Sequence, residues 1–143
     1  MTRNRRGQAM VEFAFSIPLF MILVLGVVDF GMGIYRLNGT SQAAREIARA
    51  TSVHPCADPT NCHLGDTPEV QAVIAIQKAL VPNLSDPTFQ CIRPDGSIVS
   101  GGGDGCAPGY SVRVTVNAIY KPVSLLAIGQ QITLSSSSTI KIQ

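Results

Sequence analysis

The sequence predicts an α+β protein: a long N-terminal membrane-spanning helix that extends into a small head, where one helix packs on a short antiparallel sheet. Three observations predict it. Residues 13–28 are uncharged and almost wholly apolar, residues 110–120 alternate between apolar and polar, and all four cysteines lie beyond residue 55. The first pattern calls for a membrane helix, the second for a half-buried strand, and the third for a head outside the cytoplasm.

Glu12 and Asp29 bound sixteen residues in which only Ser16, Pro18 and Gly26 interrupt the apolar surface. As helix this stretch covers about 24 Å, and extended to Tyr35 it covers about 34 Å, against a bilayer core of about 30 Å. A helix apolar on every side does not belong on the surface of a soluble domain. The transmembrane part is therefore placed at about 11–35. Arg3, Arg5 and Arg6 favour a cytoplasmic N-terminus, but Arg36, Arg45 and Arg49 flank the other side and leave the charge count undecided. The cysteines decide it, because disulfides persist outside the cytoplasm. Glu12 stands where the apolar run begins, and an ionisable residue there marks a function or a partner, unless headgroup water solvates it. Pro18 removes one helical hydrogen bond and is expected to kink the helix. Gly26, Gly31 and Gly33 allow close helix packing, the preferred reading, or local unwinding. Asp29 has three readings: a cap, a partner for Arg36, or a carboxylate at the outer interface, the last being the simplest.

Beyond Asn38 the helix is expected to continue to Val53, giving a single element over 8–53 with Ala44, Ile47, Ala48 and Thr51 on one stripe and Arg45, Glu46 and Arg49 in water. Pro55 ends it, and 54–143 forms the head. Cys56 and Cys62 bracket turn-forming residues and are paired in the preferred reading. The rival reading is a zinc site of His54, Cys56, Cys62 and His63, whose spacing fits no standard finger. Thr67, Pro68 and Glu69 open a second helix, with Val70, Val73, Ile74, Leu80 and Val81 on one face and Pro82 as the stop. Short strands are expected at 88–92 and 97–100. Cys91 and Cys106 flank the glycine-rich loop 100–105 and would close it as a disulfide. Four cysteines nevertheless allow three pairings.

In 110–120, Val112, Val114, Val116 and Ala118 share one face. Lys121 and Pro122 end that strand. The last, 131–142, carries Ile132, Leu134, Ile140 and Ile142 on one face with Ser136 and Ser138 between them. The two are expected to pair antiparallel beneath the head helix.

Composition narrows the function classes. The chain carries eleven Lys and Arg against nine Asp and Glu, but three of the arginines lie in residues 1–7, so the rest is slightly acidic. No basic surface with interleaved aromatics indicates nucleic acid. The glycine-rich loop lacks the lysine and following helix of a phosphate loop, and no serine stands at a nucleophile elbow. Neither an enzyme nor a cofactor is expected.

The stretch with a basic leader, Gly7, four residues, then Glu12-Phe13 and an apolar helix resembles a class III, type IV-like prepilin. More narrowly, Gln8-Ala-Met-Val-Glu-Phe-Ala-Phe-Ser-Ile-Pro-Leu-Phe20 followed by Gly26-Val-Val-Asp-Phe-Gly31 is similar to the TadE-like pseudopilins of tight-adherence (Flp pilus) systems. The resemblance implies a type IV pilin-like fold, with 1–7 as a leader cleaved after Gly7 by a prepilin peptidase. Gln8 would be the mature N-terminus, and Glu12 would neutralise the amine of a neighbouring subunit. Phe13, Pro18 and Asp29 belong to the same assembly segment. Many type IV pilins begin with phenylalanine, whereas Gln8 is able to cyclise and lose its charged amine. The implied partners are other pilin subunits, the peptidase, an assembly ATPase, inner-membrane platform proteins and the membrane. The implied location is the inner membrane as a single-pass precursor with its C-terminus outside, then a cell-surface pilus. The size of the head favours a minor or initiating subunit. The alternatives are a major filament subunit and an uncleaved anchored binding module that uses the 91–106 loop.

Overall fold

The computed structural model describes residues 5–55, 63–99, 106–122 and 129–142. Helix α1 (Arg5–Val53) has 49 residues and is about 74 Å long. It begins before Gln8, so Gly7 is itself helical, and it runs on through Pro18 as one element. Its C-terminal half is the central stave of the head. Ala43, Ala44, Ile47 and Ala48 are fully buried there, and so are Thr40 and Thr51. The two threonines tolerate burial because each hydroxyl donates to the carbonyl one turn back, Thr40 to Arg36 at 2.9 Å and Thr51 to Ile47 at 2.8 Å. With alanines and threonines as most of the stripe, the sheet approaches the helix backbone closely.

Helix α2 (Pro68–Leu80) starts where Thr67 and Pro68 predict. Thr67 occupies the N-cap position with extended backbone, yet its hydroxyl makes no capping bond and is buried without a partner. The first turn is tied down instead by Gln71, whose side-chain amide donates to the Gly65 carbonyl at 2.8 Å. Val70 and Ile74 are buried, with Val81 just past the helix end. Leu80, expected on that face, is 68% exposed. The chain leaves the helix at Val81 with extended backbone, and Val81 takes the inward position, its Cγ2 lying where a Cβ on Gly39 would come within 3.3 Å.

Three strands form one antiparallel sheet in the order β1-β2-β3: β1 (Thr88–Ile92), β2 (Ser111–Tyr120) and β3 (Ile132–Lys141). Val112, Val114, Val116, Ala118 and Tyr120 alternate inward from the central strand, and each pairs with a same-face residue of β3, from Val112↔Ile140 to Tyr120↔Ile132. Strand β1 covers only the first half of β2. Its second half is met by the segment after α2, where Leu84 bridges Ala118 and Ser85 donates its backbone N–H to Asn117 at 2.7 Å. Pro87, which has no N–H to donate, separates the two pairings.

The strand expected at 97–100 is reduced to one bridge, Ile92↔Ile98, while Ser100 lies outside the described residues. A tight Arg93-Pro-Asp-Gly-Ser97 turn leads into that bridge, which is flanked by hydrogen bonds from the Arg93 N–H to the Ser97 carbonyl at 2.8 Å and from the Val99 N–H to the Cys91 carbonyl at 2.9 Å. The Asp95 carboxylate accepts from the Ser97 backbone N–H at 2.8 Å and from its hydroxyl at 2.7 Å. These bonds hold the Asp95 carboxyl below its ordinary range. Gly96, at φ +86, supplies the left-handed position that closes the turn.

Cys91 and Cys106 are disulfide-bonded, and Cys91 is fully buried against β2. Cys56 and Cys62, and with them the expected pairing and the zinc alternative, fall outside the described residues.

Ile47 and Ile142 are the largest fully buried side chains among the described residues, and truncation of Ile47 tests the packing. Ile47→Ala in the detergent-solubilised chain is expected to lower stability by about 2–5 kcal/mol, read as an earlier midpoint in urea. Reduction of the Cys91–Cys106 bond, which closes a 15-residue separation, is expected to cost about 3 kcal/mol on the loop-entropy scale. The same urea titration with and without reductant measures it.

Candidate functional site: the uncovered half of the long helix

Among the described residues, no side chain in the first half of α1 is buried. Within Gly7–Val53, 47 residues of α1, the most apolar stretch is long enough to cross a membrane, and none of that stretch is buried. Phe13, Phe15, Leu19 and Phe30 stand 66%, 77%, 70% and 73% exposed. Helix α1 is therefore not the buried core helix of a soluble domain along this stretch. Nor is it a detachable segment, because the same helix becomes the core of the head further on. Such a surface in water would be strongly unfavourable, at about 25 cal/mol for every Å² of apolar area. Lipid or other apolar helices must cover it.

Glu12 lies near the start of this surface, exposed. Its backbone carbonyl accepts the Ser16 hydroxyl at 2.8 Å, while its carboxylate makes no hydrogen bond or ion pair among the described residues. Phe13 is its exposed neighbour, and Pro18 lies six positions on. The proline leaves the Ala14 carbonyl without its helical donor, two positions from the Ser16 back-bond. Among the described residues, nothing lies within 4 Å of where a Cβ on Gly26 or Gly31 would stand.

Asp29 closes the stretch, half-buried, and the sequence alone does not reveal what it meets. The Tyr120 hydroxyl at the end of β2 donates to the Asp29 backbone carbonyl at 3.0 Å and approaches its Oδ1 at 3.3 Å. The Tyr120 ring also lies over Gly33, whose missing Cβ would sit 3.8 Å from Cε1. A hydrogen bond between residues 91 positions apart thus fastens the far end of the sheet to the helix. Tyr120 could have been suspected from the sequence only as the last inward position of an alternating strand. Burial, then the nearby Asp29 charge and the hydrogen bond to it, raises the Tyr120 phenol above its ordinary range, against an opposing pull from Arg36.

The comparisons fit this division of the helix. Residues 7–49 match the TadE-like protein family. The TadE-like segment covers nearly the whole of α1, from the expected processing glycine to the core of the head, and stops short of α2 and the sheet. Neither the curated proteins nor the solved structures contain a significant match to the chain. A TadE-like segment with an uncovered apolar helix fits a membrane-anchored, pilin-like protein, a structural rather than an enzymatic class. Among the described residues no group of three or more His, Cys, Asp or Glu is gathered for a metal.

The Tyr120–Asp29 fastening predicts two effects of Tyr120→Phe. Loss of the hydrogen bond is expected to cost about 1 kcal/mol, seen as a lower urea midpoint. The wild-type absorbance titration should also contain a late phenol step that the variant lacks. The sign follows from the raised folded-state value. The phenol's contribution to stability is complete below the ordinary tyrosine range and is lost as pH rises through the folded value.

Proposed function

We propose that this protein is a TadE-like pilin or pseudopilin that builds a type IV-like, tight-adherence pilus, as a minor or initiating subunit. The precursor sits in the cytoplasmic membrane through the first half of α1, with its N-terminus inside and its disulfide-bonded head outside. A prepilin peptidase cleaves after Gly7, so that the mature chain starts at Gln8. Because α1 includes Gly7, the peptidase must unwind the first turn, which is inexpensive at a fraying helix end. An assembly ATPase and inner-membrane platform proteins then move the subunit from lipid into a bundle of like helices.

The observation that supports this reading is the division of one unbroken helix into a bare apolar half and a half that forms the head's core. A subunit built this way exchanges lipid for neighbouring helices over the bare half without refolding the head. Glu12 is suited to such a bundle. A carboxylate costs several kcal/mol in an apolar surrounding unless paired, and within one chain it makes no pair among the described residues. The amine of Gln8 in a neighbouring subunit would supply the missing charge.

The intact mass and N-terminal sequence of the native protein, with and without the peptidase, test the processing step. A start at Gln8 that disappears with the peptidase is expected, whereas a start at Met1 or Thr2 in the assembled protein would overturn it. A blocked, pyroglutamate terminus would remove the amine and with it the Glu12 pairing. Glu12→Ala is expected to leave the precursor inserted and folded while filament incorporation falls at least about tenfold, the effect of losing more than about 1.4 kcal/mol at each subunit contact. Sheared-filament immunoblots measure it.

A further inference from the structure

The uncharged segment between Glu12 and Asp29 is shorter than the hydrocarbon core, so the membrane-spanning stretch of α1 runs on past Asp29. Seventeen residue steps separate the two carboxylates, a rise of about 26 Å against a hydrocarbon core of about 30 Å. Tilting the helix only shortens its reach. With Glu12 held at one headgroup layer, the hydrocarbon on the other side therefore extends about three residues beyond Asp29, to the level of Met32, next to Gly33. The head has already begun there, because Tyr120 is bonded to Asp29 and lies on Gly33.

What the head presents at that level is apolar. A groove of about 470 Å³ opens between helix and sheet, walled by Gly33, Ile34, Tyr120, Pro122, Ile132 and Leu134. Gly26, Asp29 and Phe30 of the bare helix also line it, so it is continuous with that surface. Ile34 and Ile132 remain 46% and 47% exposed on its two walls. The Asp29 side chain shares this region with the Tyr120 hydroxyl, so a carboxylate at the hydrocarbon border has a donor other than water. Lys121, exposed beside Tyr120, is long enough to reach lipid phosphates while its stem lies along apolar surface.

We propose that the base of the head is a second membrane contact, in which the groove between α1 and the β2–β3 end is filled by phospholipid acyl chains of the leaflet on the head's side. The proposal rests on the membrane-anchored reading of α1 and adds a lipid-bound resting state of the head to it. The helix completes its span through Phe30, Met32 and Ile34, and the apolar base of the head borders it at that depth. The head is held upright by two attachments, the helix and the immersed groove. Leaving the membrane for a filament then requires that the groove, as well as the helix, give up its lipid.

The chain has no tryptophan, so single-tryptophan variants report position without background. Ile132→Trp, Ile98→Trp and Phe20→Trp of the full chain would be placed in bilayers of phosphatidylethanolamine and phosphatidylglycerol, brominated at shallow or deep acyl carbons. Ile98 is exposed and bridges Ile92, at the end of the sheet away from Asp29. The expected result is blue-shifted Ile132→Trp emission, quenched about twofold by shallow bromines, the depth of an interfacial apolar contact. Ile98→Trp emission should stay unquenched, and Phe20→Trp should be quenched best by deep bromines. Ile34→Trp, on the opposite wall, repeats the reading without touching the sheet. Unquenched tryptophans at 132 and 34 beside a quenched one at 20 would overturn the proposal and leave the anchor intact. If their spectra instead shifted with protein-to-lipid ratio, a second copy would be the occupant, and the proposal would equally fail. An unquenched tryptophan at 20 would reject the membrane reading itself.

Discussion

Helix α1 has to satisfy two environments without a break, and the rest of the structure follows from how it does so. Between Glu12 and Asp29 the helix is uncharged and exposes apolar side chains on all sides, and a helix meets the backbone's hydrogen bonds within the segment, as hydrocarbon requires. Over its second half the same helix narrows to a stripe of small residues, with Arg45, Glu46 and Arg49 exposed on the other side. Continuity between the halves matters because a loop at the join would leave backbone groups unpaired at the membrane border. It also makes the position of the head relative to the membrane a property of a rigid rod.

The sheet is fitted to that rod. Its central strand lays a row of valines along the alanine–threonine stripe, and small residues on the helix face allow the two backbones to come close. The two ends of the sheet are then secured by different chemistry. Away from the membrane, the covalent Cys91–Cys106 bond ties β1 to the start of the 106–122 segment. At the membrane end, a single phenol reaches a helix carboxylate and carbonyl. The first is a covalent tie and the second a hydrogen bond between groups far apart in sequence.

The architecture was largely legible in the sequence because its strongest signals are compositional and periodic. An apolar run without charge, a stripe at Ala44, Ile47, Ala48 and Thr51, and the alternation from Val112 to Ala118 each reflect a local period that tertiary packing had no reason to override. The resemblance at Gly7, Glu12 and Phe13 and the family match over 7–49 rest on the same local information. The readings that failed were those in which a residue's surroundings depend on chain direction after an element ends. Leu80 lost its inward place to Val81 because the helix stops between them, and the strand expected at 97–100 is a single bridge because the turn at Asp95–Ser97 returns the chain onto only the last residues of β1.

The sequence by itself determined the long helix, its apolar half, the α+β class and the candidate processing and assembly residues, because these depend on composition and on spacing along one chain. Only the tertiary structure decided what Asp29 meets, that Thr40 and Ala43 join the core, and that an apolar groove opens at the base of the head. Those facts arise from residues as far apart as Asp29 and Tyr120. Such contacts are set by the register of β2 on α1, and a register between two periodic elements is chosen by how their side chains pack, which neither period specifies alone.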